Sequence, residues 1–89
     1  MTELEKLKAY LDEHEYNNHY RQLFETENDQ IVVFDGAGRS WDAICHKYSY
    51  GGDRGLLEIY GSICPTDDPI GYLTAQQVID RLERRGQEG

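Results

Sequence analysis

Residues 40–61, SWDAICHKYSYGGDRGLLEIYG, decide how this chain folds. The stretch sets Cys45 beside His46, follows them with tyrosines and glycines, and closes on an apolar run. Three readings compete for it: a thiol with its base, a glycine loop around a phosphate, or two strands and the bend between them. SWDAICHKY lacks the strong helix formers and flanking caps of a helix, and GLLEIYG is delimited by Gly55 and Gly61, so both read as strands. SYGGDR supplies residues that tolerate positive φ, as a hairpin connection longer than two residues requires. The hairpin reading has chemical consequences. Neighbouring strand residues project to opposite faces, so His46 is not placed to activate Cys45, and Cys45 reads as a small buried hydrophobe. The glycines need no ligand: neither DGAGRS nor YGGDRGL ends in the Lys-Ser/Thr of a phosphate loop or leads into a helical pattern.

Working outward, Thr2 and Glu5 form a capping-box pattern, and Leu4, Leu7 and Leu11 follow at helical spacing until Asn17 and Asn18. YRQLFE alternates weakly, ENDQ has turn chemistry, and IVVF is a β-branched and aromatic run bounded by DGAG, which together predict two more strands. CPTDDPIG reads as a loop, because two prolines flank a pair of aspartates. Thr74 with Gln77 makes a second capping box, Leu73 and Val78 fit a hydrophobic staple, and Arg84, Arg85 and Gly86 suit a helix end. The order predicts one α+β domain over residues 1–89: a helix, a three- to four-stranded antiparallel meander, and a helix. Its strands are apolar on both sides, so two helices on one face leave the other presenting some of Phe34, Trp41, Leu56 and Tyr60. Helices on opposite faces leave nothing bare.

Composition narrows the functional classes. Eighty-nine residues allow a single small core, and seven tyrosines, two phenylalanines and one tryptophan argue for a folded chain. A formal charge of −8 disfavours direct contact with nucleic acid or anionic membranes. There is no run of about 20 apolar residues, the opening residues are too charged for a signal peptide, and two cysteines fit a reducing cytoplasm, with one Cys45–Cys64 bridge left open. His14, His19, His46, Cys45 and Cys64 match no zinc spacing, TDDP lacks the spaced oxygens of a calcium loop, and no cofactor is expected. Asp35, Asp42 and Glu58 would act as acid and base only if two of them faced each other. Residues 12–29 hold six acids against Arg21 alone, interleaved with Tyr16 and Tyr20. An acidic, tyrosine-bearing patch suits a basic protein partner, or serves only as a solvated face.

WDAICHKYSYGGDRGLLEIYGSI and YLTAQQVIDRL together resemble small uncharacterised proteins carried by phages and prophages of Gram-positive bacteria. In these a Trp-Asp-Ala strand, a Ser-Tyr-Gly turn, a Gly-Leu-Leu-Glu strand and a Leu-Thr-Ala helix start recur in order. The resemblance spans residues 40–83 and implies a bacterial cytosol and a mobile genetic element; it neither adds a catalytic residue nor removes one. From the charge and aromatic patterning, the expected function is a non-enzymatic protein-binding module, a modulator of a host factor in that setting. Its expected surface is either the acidic, tyrosine-bearing stretch with Asp12, Glu13, Glu15, Tyr16 and Tyr20, or an aromatic sheet face with Trp41 and Tyr60. The alternatives are a small-ligand or enzymatic site using Cys45, His46 and nearby carboxylates, and a self-associating subunit such as a homodimer.

Overall fold

The computed structural model describes residues 1–24, 27–34 and 40–88, the last four by backbone alone. Helix α1, Glu3–Glu13, begins at the predicted capping box: Glu5 N–H donates to Thr2 Oγ1 at 3.1 Å, and Thr2 N–H donates to Glu5 Oε1 at 2.9 Å. Leu4, Leu7 and Leu11 form its buried stripe. The helix ends earlier than the asparagines suggest. Glu15 takes a left-handed φ of 61°, and Tyr16 N–H returns to Leu11 C=O at 2.8 Å, closing the last turn without a glycine.

Among the described residues five strands follow: β1 (Asn17–Arg21), β2 (Gln30–Phe34), β3 (Ser40–Ile44), β4 (Leu57–Gly61) and β5 (Ile70–Leu73). Each is antiparallel to the next, so the sheet is a meander in chain order, an α+β fold as expected with one strand more. Two differences have local causes. β1 lies on NNHYR rather than YRQLFE, because only its register against Phe34–Gln30, not an apolar alternation of its own, makes it a strand. β5 begins in the last two residues of the predicted loop and carries little local signal, since it has four residues, includes Gly71, takes a left-handed φ of 60° at Tyr72, and pairs with β4 across a register shift. The 34–40 connection lies outside the described residues, and with it Asp35 and most of DGAGRS.

The hairpin of residues 40–61 is present, with β3 and β4 paired from Trp41↔Gly61 to Ile44↔Glu58. Its connection is longer than SYGGDR. β3 stops at Ile44, and Ser49 turns the chain: its hydroxyl accepts His46 N–H at 3.0 Å and donates to His46 C=O at 2.8 Å. A short 3₁₀ turn at Gly52–Arg54 returns it to β4 between left-handed Gly51 and Gly55.

Helix α2, Ala75–Glu88, starts at the second predicted box, with Thr74 N–H on Gln77 Oε1 at 2.8 Å and Gln77 N–H on Thr74 Oγ1 at 3.2 Å. It runs through Gly86, which therefore is not its cap. Glu3 also reaches across from α1 to accept Ala75 N–H at 2.7 Å, tying the two helix starts together. That carboxylate at a helix amino end, also held by Lys6, has its pKa lowered, with the Lys6 hydrogen bond the larger cause and the Ala75 N–H the next.

Both helices lie on the same face of the sheet. The core joins Leu4, Leu7 and Leu11 of α1 and Ala75, Val78 and Leu82 of α2 to Ile31, Val33, Trp41, Ala43, Leu57 and Ile59, every second residue of β2, β3 and β4. The even-numbered residues of β2, β3 and β4 consequently point the other way.

Candidate protein-binding face

The uncovered face follows from register. Across β1 to β4 one row reads His19, Val32, Asp42, Tyr60; flanking rows carry Arg21, Gln30, Ile44 and Glu58, and Asn17, Phe34 and Ser40. Phe34 is 44% and Tyr60 49% exposed, whereas Val32, under its neighbours, is 9% exposed. The His19 and Phe34 rings lie 5.8 Å apart at one side of this surface.

Asp42 sits at the centre. Gln30 Nε2 donates to its Oδ2 at 2.8 Å, and burial among strand neighbours pushes its pKa up, reinforced by the charge of Glu58 and opposed by the Gln30 hydrogen bond. Glu58 is itself engaged, accepting Tyr50 N–H at 2.7 Å. Asp42 and Glu58 thus share one face, while Asp35 lies outside the described residues. A cavity of about 250 Å³ opens over Asp42 between Arg21, Gln30 and Tyr60. It adjoins an open groove of about 730 Å³ that runs from Ser40 and Tyr60 past Cys64 to Thr66 and Asp67. Gly61 borders both and permits the crossing: its φ is 119°, and a Cβ there would lie 2.6 Å from Ser40 C=O.

The seven residues of the two expected surfaces fall as follows. Asp12, Glu13 and Glu15 are exposed around the end of α1, with Asp12 held by Lys8 Nζ at 2.8 Å and Asn18 Nδ2 at 3.0 Å. Tyr16 and Tyr20 pack partly against the core, and Lys8 Nζ stands 5.4 Å from the Tyr20 ring centroid. Trp41 is a correction. Its odd position in β3 turns it toward the helices, where it is 3% exposed and unavailable to a partner. Tyr60 alone of the seven lies on the uncovered face.

Cys45 and His46 also require correction, because neither lies in a strand as expected. Cys45 packs partly against the core, with its N–H on Asp29 C=O at 3.0 Å. His46 turns into the loop, where its Nδ1 accepts Tyr48 N–H at 3.1 Å and its ring lies 5.4 Å from that of Phe24. Cys64, the second free thiol, donates to Ile59 C=O at 3.6 Å, and burial raises its pKa. Among the described residues, no three His, Cys, Asp or Glu side chains converge as metal ligands, and no helix is long and apolar enough to cross a membrane.

A further exposed group escaped the sequence reading. Asp29, 2% exposed, accepts Leu23 N–H at 2.6 Å and Phe24 N–H at 2.9 Å through its carboxylate. It thereby holds Leu23 and Phe24 outward at the sheet end, where Phe24 meets Tyr48 edge-on at 4.8 Å, under Lys47 Nζ. The legible signal was ENDQ, read only as a turn. No family model, curated protein or solved structure matches this chain.

Proposed function

We propose that this chain is a non-enzymatic protein-binding module that engages another protein through the uncovered sheet face. The observation that carries this reading is the placement of both helices on one side, which leaves Phe34 and Tyr60 half-exposed on the other. In the bacterial, phage-borne setting that the sequence resemblance implies, that protein is a host factor. Size favours a partner over a second copy. Five strands spaced by about 4.8 Å and about 17 Å long present roughly 400 Å², about half of what each partner buries in a standard stable interface. An extended segment of a partner matches that area better than a face-to-face homodimer does.

Site-specific photocrosslinking tests it. With benzoylphenylalanine in place of Phe34, the chain expressed in a Gram-positive cell is expected to form an adduct with one other protein, and with the probe at Lys6, on α1, it is expected to form none. Adducts from both positions alike, or only with a second copy of the chain, would overturn the reading.

A further inference from the structure

Resting on that docking reading, we propose that the cavity between Asp42 and Tyr60 seats one lysine or arginine side chain of the partner, and that the groove toward Asp67 takes the residues adjoining it. The cavity, at about 250 Å³, is below the roughly 300–1,000 Å³ of small-molecule sites. It has room for one side chain. Its chemistry selects the charge. Asp42 forms the floor, with one carboxylate oxygen on the neutral Gln30 amide, and the described ion pairs, Lys6–Glu3 and Lys8–Asp12, both lie on α1. Glu58 adds negative potential from the neighbouring strand.

Tyr60 completes the seat. Its half-exposed ring borders both the cavity and the groove, so a cation above Asp42 can also meet an aromatic face. Asp67 at the far end of the groove extends the negative side, while Arg21, on β1, lines the other side of the cavity. The face is therefore polarised across the sheet, which sets the orientation of a basic segment lying over β3 and β4. The net charge of −8 draws such a partner in from a distance. The acidic end of α1 lies on another surface and has no part in the seat.

The test is a titration of the full, ¹⁵N-labelled chain with acetyl-arginine amide and with acetyl-citrulline amide, which has nearly the same shape and no charge. Arginine is expected to move the amides of Val32, Asp42, Tyr60 and Gly61, with citrulline binding at least about tenfold more weakly, or about 1.4 kcal/mol. Asp42→Asn and Tyr60→Val should each weaken the arginine response several-fold while the remaining spectrum shows an intact fold. Equal response to both probes, shifts centred on Asp12, Glu13 and Glu15, or unchanged binding by Asp42→Asn would overturn the proposal. Failure here with a Phe34 crosslink formed removes the cation seat alone; an arginine response without that crosslink leaves a cation site and removes the docking reading, and with it a partner's side chain as the occupant.

Discussion

Substituting valine at Trp41 and at Tyr60 separates the two faces of the sheet energetically. Both residues are in mid-sheet aromatic positions on neighbouring strands, and valine retains strand propensity at each, so burial is the main difference. At Trp41, 3% exposed, the change removes roughly 100 Å² of apolar contact, worth about 2.5 kcal/mol at 25 cal/mol/Å². The enclosed space left among the helix side chains adds to that, for a total of about 3–5 kcal/mol. A chain of 89 residues has of the order of 4–13 kcal/mol in all, so this variant is expected at the edge of stability. Tyr60 is 49% exposed and its removal encloses no void, so the expected cost is about 1 kcal/mol or less. Urea unfolding followed by far-ultraviolet circular dichroism is the suitable assay, because one variant lacks the only tryptophan. With an m-value near 1 kcal/mol/M, the midpoints should differ by about 2 M or more. Equal midpoints, or a greater loss at Tyr60, would refute the assignment of faces on which the docking surface depends.

Asp29→Ala removes a charged acceptor from two backbone donors and is expected to cost about 2–3 kcal/mol, with the Leu23 and Phe24 amide resonances moving upfield; a loss below about 0.5 kcal/mol would show the loop is held otherwise. Asp42 has a pKa raised above its ordinary 3.8, so the folded chain takes up its proton first and ionisation costs stability at neutral pH. Asp42→Asn should therefore be more stable than the parent at pH 7, with the gain shrinking as pH falls through the raised pKa and gone below 3.8; urea midpoints at pH 3 and 7 check the sign. Gly61→Ala must place a Cβ 2.6 Å from Ser40 C=O at a φ of 119° and should cost about 1–3 kcal/mol, whereas a midpoint like the parent's would mean that the β3–β4 crossing is looser than drawn.

The helices were legible because their signals are local. Thr2 with Glu5 and Thr74 with Gln77 satisfy backbone donors three residues away, and Leu4, Leu7 and Leu11 mark a face by spacing alone. β2 to β4 were legible for a similar reason, as apolar runs set between turn-forming residues. β1 and β5 were not, because NNHYR and IGYL are strands through the backbone partners they meet. The candidate site was legible only in part. Tyr60 was expected on a surface and is there, while Trp41 was expected beside it and lies on the reverse side.

The amino-acid order by itself determined the α+β class, the two helix starts, the hairpin of residues 40–61 and the excess of acid over base. Each depends on chemistry within a few residues or on composition. Only the tertiary structure decided which face the helices cover, and hence that Trp41 is core, that Tyr60 is open, and that Asp42 is drawn into a half-buried position beside Glu58. Strand alternation says that two residues point apart; it does not say which points inward. That sign is set when α1 and α2 pack together, joined by Glu3 and Ala75 across 72 residues of chain.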